Sequence, residues 1–258
     1  MNLKIKLYLI EAWGLGTFMV SACLFATILE YPGSYIHNAI SSHEIRNMIM
    51  GIMMGVTAYL ILISSWGKKS GAHINPAVTI VNYRLRKISL SDSIAYIIFQ
   101  TIGGTFAVYV MQLLLGHALI DKPVESAVTI PYCGHPVHAF FMELAIAFVL
   151  MLTIQIVSNS SFAKHTEKFA GFLVMMYVII AGPVSGFGMN PARTIASALP
   201  AHNWNSFWIY AFVPIAGMLI ATEFYLFSKK FLKARKKSNK YNHSTIEIYN
   251  NENIRIKN

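Results

Sequence analysis

Two asparagines carry the chemistry of this chain. Each heads an Asn-Pro-Ala triplet in an apolar stretch, with a Ser-Gly pair five and four residues earlier. The first copy reads Ser70-Gly71-Ala72-His73-Ile74-Asn75-Pro76-Ala77, the second Ser185-Gly186-Phe187-Gly188-Met189-Asn190-Pro191-Ala192. Proline at a first helical position gives up an N–H that would be unpaired anyway, and the asparagine before it can cap the helix. Two short helices should therefore begin at Pro76 and Pro191. A helix N-terminus carries about +0.5 of an elementary charge and free N–H groups. A cation about 5 Å from both ends, at an effective dielectric near 20, is repelled by about 1.7 kcal/mol per end. A neutral solute with an acceptor oxygen is attracted instead. The pattern implies a pore for small neutral molecules that rejects protons and cations.

Other residues fit around this pair. Arg193 directly follows the second triplet, and an arginine so deep in apolar sequence must face a cavity, where it adds a further positive barrier. Carbonyls of Gly71, Ala72 and His73, and of Gly186, Phe187 and Gly188, would form an acceptor ladder leading to the asparagines. Glu11 and Glu143 are costly among apolar residues unless paired, and are expected to receive N–H groups from the two loops. His73 is expected to position backbone. Neither a Ser/His/Asp set, a metal-ligand cluster nor a phosphate loop stands at usable spacing, and His135 and His138 lack a partner carboxylate. No catalytic residue, cofactor or metal is expected. Cys23 and Cys133 form no disulfide framework.

These groups need elements to hold them. Of 258 residues, 55% are hydrophobic and 12% charged, about half the usual charged share of a soluble domain. Windows near 7–29, 47–66, 90–115, 137–158, 169–187 and 207–228 each approach the ~20 residues of a membrane-crossing helix. Each half then reads as span, span, Asn-Pro-Ala segment, span, with the first repeat over about 7–116 and the second over about 136–228. Three crossings per half place the halves in opposite orientation, an inverted repeat whose site lies at the repeat interface. The Asn-Pro-Ala segments should dip half-way into the membrane as re-entrant half-helices.

The net charge of +10 invites a nucleic-acid reading, but its placement excludes one. With six spans, every Lys and Arg except Arg46, Lys122 and Arg193 falls on the side shared by both termini. That asymmetry marks the cytoplasmic side. The lipid bilayer is the expected environment. Gly51-x-x-x-Gly55, Gly103-Gly104, and Gly217 with Ala221 should permit close helix packing. The channel-like region covers 1–228, and the polar, basic tail 229–258 is expected to be largely disordered.

Residues 7–228 resemble the aquaporin (major intrinsic protein) family in both Asn-Pro-Ala boxes, in Arg193, in Glu11 and Glu143, and in Gln100-Thr101-Ile102-Gly103-Gly104. The resemblance implies an all-α membrane protein of six transmembrane helices plus two re-entrant half-helices in an inverted repeat. It also implies a homotetramer with one pore per subunit in the plasma (inner) membrane, with both termini cytoplasmic. A four-position filter follows by counting from the boxes: Gly55 twenty residues before Asn75, Val178 twelve before Asn190, Phe187 three before Asn190, and Arg193. The strict water-channel pattern has an aromatic and a histidine at the first two places, so the present set implies a wider, less polar constriction. Phe187 resembles the glycerol-conducting branch. Thr194, where that branch has Asp, leans with Ala198 and Tyr210 toward water channels. The implied activity is passive conduction of water and small uncharged solutes such as glycerol. A dedicated glycerol facilitator and a coupled secondary transporter are the alternatives.

Overall fold

The computed structural model describes residues 3–131 and 135–256, with side chains up to Leu232. In chain order the helices are α1 (Leu3–Glu30), α2 (Tyr35–Ala39), α3 (His43–Ile63), α4 (Ser65–Ser70), α5 (Pro76–Arg84), α6 (Leu90–Leu115), α7 (His117–Ile120), α8 (Pro136–Ser158), α9 (Thr166–Ser185), α10 (Pro191–Ala201) and α11 (Phe207–Ile256). Six of them, α1, α3, α6, α8, α9 and the Phe207–Leu232 part of α11, are long and apolar enough to cross a membrane. They match the six windows read from the sequence. Helix α6 turns Ile102, Phe106 and Leu113 outward, as a lipid-facing surface requires.

Helix starts follow from capping side chains. The Ser42 hydroxyl accepts the Ile45 N–H at the head of α3, and Ser89 accepts that of Asp92 at the head of α6. The halves are built alike: α1 packs on α6, and α8 on α11, while α3 and α9 meet across the boundary between repeats. Half-helices α5 and α10 have 9 and 11 residues, and so rise about 13–17 Å, roughly half of a bilayer core. Each packs against the third span of both halves, α5 on α6 and α11, α10 on α11 and α6.

Small residues set the spacing. A Cβ on Gly55 would stand 2.6 Å from the Met175 Cβ and 2.8 Å from the Gly171 carbonyl oxygen of α9. One on Gly217 would stand 2.7 Å from the Leu144 carbonyl of α8, and Gly103 meets the Ala12 backbone of α1 in the same way. Lipid supplies no hydrophobic drive between helices, so this backbone-to-backbone fit holds the bundle.

Helix α11 continues past the last span to Ile256.

Candidate functional site

The site is made by two loops of one design. Helix α4 ends at Gly71 (φ +87°) and α9 at Gly186 (φ +75°), both left-handed, where glycine is free to go. Ala72 (φ +41°) and Ile74 (φ +40°) then match Phe187 (φ +54°) and Met189 (φ +46°). In both loops the positions four, three and one before the asparagine lie in the left-handed region. Residues with a Cβ pay about 1–3 kcal/mol each to stand there, so the surroundings must hold them.

The two buried carboxylates do this. Glu11 accepts the N–H of His73 at 3.0 Å and of Ile74 at 2.6 Å, and an amide hydrogen of Gln100 at 2.8 Å. Glu143 accepts the N–H of Gly188 at 2.9 Å and of Met189 at 2.5 Å, with the Ser185 hydroxyl at 2.6 Å. Each glutamate thus accepts two successive loop N–H groups of its own half and one further side-chain donor. Tyrosines brace the same loops from behind: Tyr96 donates to the Ser70 carbonyl at 2.9 Å, and Tyr210 to that of Ser185 at 2.6 Å. His73 is a positioned group, with Nδ1 3.2 Å from the Thr79 hydroxyl and its ring edge-on to Tyr96.

The asparagines sit side by side. Asn75 caps α5 by accepting the Ala77 N–H at 2.8 Å, ahead of Pro76. Asn190 caps α10 through the N–H groups of Ala192 and Arg193, at 3.1 and 3.2 Å, ahead of Pro191. Each side-chain amide also reaches into the opposite half. Asn75 donates to the Met189 carbonyl at 2.9 Å, and Asn190 to that of Ile74 at 2.7 Å. One hydrogen of each NH₂ is thus committed across the repeat interface. That leaves one for the cavity.

Two cavities meet here. An inner one of about 470 Å³ is lined by both asparagines, the Gly71–His73 backbone and Gly188, and it opens past Lys68 and Lys87 on the basic side. An outer one of about 430 Å³ is lined by Met50, Met54, Val178 and Gly186, and it opens past Glu30 and His43. Phe18, Phe187 and Arg193 line both, so the narrow passage lies among them. The Arg193 guanidinium is buried and donates to the hydroxyl of Thr129 and, at 3.4 Å, to that of Ser197. Thr129 lies in the connector, whose next residue, Ile130, packs its backbone onto Gly186.

One filter position is corrected. Gly55 lines neither cavity, because its Cα faces Gly171 and Met175 at the α3–α9 crossing. The α3 side chains on the outer cavity are Met50 and Met54. Counting back from Asn75 presumes a fixed loop length, and α4 intervenes there. Met54 is buried, and its sulfur lies 3.9 Å from the Ser21 hydroxyl. Phe18, Met54 and Thr129 were not found from sequence, since Phe18 and Met54 are apolar residues in apolar spans and Thr129 sits in a connector without periodicity. Cys23 is buried in α1, and Cys133 lies outside the described residues.

Comparisons with known proteins agree with this geometry. The Major intrinsic protein family model matches residues 5–225. The chain is 37% identical over 176 residues to Aquaporin NIP1-2 of Arabidopsis thaliana, covering 65% of this chain and 58% of that protein. It is 29% identical over 240 residues to Aquaporin NIP1-1 of Zea mays, covering 91% and 80%. The chain spans less than two thirds of the length of the Arabidopsis relative. The fold is that of the X-ray structure of the aquaglyceroporin from Plasmodium falciparum, with a TM-score of 0.72 at 22% identity over 86% of this chain and 95% of that one. With paired Asn-Pro-Ala half-helices, loops clamped by two buried glutamates and a family match across both repeats, this multi-pass membrane chain belongs to the major intrinsic protein family.

Proposed function

We propose that the chain is a passive channel for water and small uncharged solutes such as glycerol, closed to protons and ions. The observation that carries this reading is the cross-bonded asparagine pair at a passage between two cavities, with Arg193 beside it. Both half-helix N-termini and the guanidinium place positive potential there, at a cost to any cation, while the Glu11 and Glu143 carboxylates are turned to loop N–H groups and are not free to bind one. A solute oxygen accepts the remaining asparagine hydrogens, and its own hydrogens turn to the loop carbonyls on either side.

The wall chemistry favours a solute polar on one edge and apolar on the other. Phe18, Met54, Val178 and Phe187 supply apolar contact, against the Arg193 donors and the carbonyl ladder. A short polyol fits this description as well as water does. Saturated carboxylates speak against an ion-coupled transporter, which needs one free to bind its ion. The basic side with both termini is read as cytoplasmic, the membrane as the plasma (inner) membrane, and the assembly as a homotetramer of separate pores.

Stopped-flow light scattering on proteoliposomes tests the proposal. An impermeant osmolyte should produce protein-dependent shrinkage, and glycerol should produce shrinkage followed by re-swelling. Re-swelling without accelerated shrinkage would identify a dedicated glycerol facilitator. Absence of both would refute the channel.

A further inference from the structure

We propose that His135 and His138 form a two-imidazole site for a divalent first-row transition cation, copper(II) foremost, on the face opposite the basic loops. The pair opens α8, with His135 at the cap position and His138 three residues on, a spacing that puts both side chains on one face of the first turn. Both are exposed, and neither lines either cavity, so the pore makes no use of them. Their ring centres stand 5.5 Å apart at an interplanar angle of 77°.

That separation is close to what one shared ion demands. An ion about 2.0–2.1 Å from an imidazole nitrogen lies about 3.2 Å from the ring centre, so two such rings at ligand angles of roughly 90–110° have centres about 4.5–5.2 Å apart. The observed ring-centre separation exceeds that range by a few tenths of an ångström, and side-chain rotation at these exposed positions has to turn one nitrogen of each ring to a common point. Among the described residues no cluster of three or more His, Cys, Asp or Glu occurs, so the site proposed is the imidazole pair alone. Two neutral imidazole donors favour copper(II) over nickel(II) and zinc(II) in the Irving–Williams order, and do not suit magnesium or calcium, which take oxygen ligands.

The full chain in zwitterionic nanodiscs, titrated with copper(II), tests this. Electron paramagnetic resonance of the first equivalent should show hyperfine splitting from two nitrogens. His135→Ala and His138→Ala should each reduce it to one nitrogen and weaken binding at least about tenfold, because the second imidazole acts at the high effective concentration of a chelate. A one-nitrogen signal in the unaltered protein, or a two-nitrogen signal surviving either substitution, overturns the site. A readout without variants is carbethoxylation mapped by mass spectrometry. Copper should protect His135 and His138 together, and equal protection of the exposed His117 would show undirected binding.

Discussion

Removing the carboxylate of Glu143 should undo the second loop. Glu143→Ala strips the N–H groups of Gly188 and Met189 and the Ser185 hydroxyl of their shared acceptor, in a fully buried position. Two buried amides left without partners cost about 1–3 kcal/mol each, or about 2–6 kcal/mol together. The left-handed Phe187 and Met189 then keep only the Ser185 and Asn75 side-chain bonds, with Tyr210 behind, and the loop should relax into the passage. Glu143→Gln is the graded control. Its one oxygen can keep Ser185 and Gly188, while its NH₂ opposes the Met189 N–H, a loss of about 1–3 kcal/mol. Osmotic shrinkage rates in proteoliposomes and thermal unfolding in detergent should both rank unaltered, Gln, Ala, in falling order. Flux and unfolding temperature both unchanged in Glu143→Ala would refute the clamp. Flux that responds to a proton gradient, and loses that response in Glu143→Gln, would favour a transporter instead.

Arg193→Ala removes a full positive charge from the passage. At about 5 Å and an effective dielectric near 20 this is worth about 3.3 kcal/mol, so cation leak into proteoliposomes should rise by up to a few hundredfold while water flux stays. An unaltered leak would contradict the barrier. Phe187→Ala and Met54→Ala should each raise four-carbon polyol permeability relative to glycerol about tenfold, the scale of discrimination that a methylene or two provides. An unchanged solute cut-off would take that side chain off the constriction. Gly55→Ala should leave the cut-off alone and cost about 1–3 kcal/mol of stability by overpacking against Met175, and a shifted cut-off would return Gly55 to the filter.

The parts legible from sequence were those fixed by local rules. Helix starts at Pro76 and Pro191 follow from the cap-proline pair, and the six spans from run length. The clamps at Glu11 and Glu143 follow from the cost of an unpaired carboxylate among apolar residues. What stayed hidden depends on register between elements. Met54 and Gly55 are neighbours in α3 that point in different directions, and only the path through α4 decides which one meets the cavity. Gly55 was read both as a packing residue and as a filter residue, and the packing reading is the one its surroundings permit. Phe18 is one apolar residue in a helix apolar on every side, so nothing local distinguishes it. Thr129 reaches Arg193 from a connector with no repeating pattern. The bonds from Asn75 and Asn190 to each other's loop join residues 114 and 116 positions apart, far outside any local signal.

Those two amide bonds also bear on how the molecule comes into being. Each repeat lends the other a donor, so neither lumen wall is finished until its sibling has been inserted and docked. With only the first three spans made, the first loop has its Glu11 and Tyr96 bonds but the Asn75 amide has no carbonyl to reach. The passage between the cavities is complete only once the second half has docked and each amide reaches the other loop.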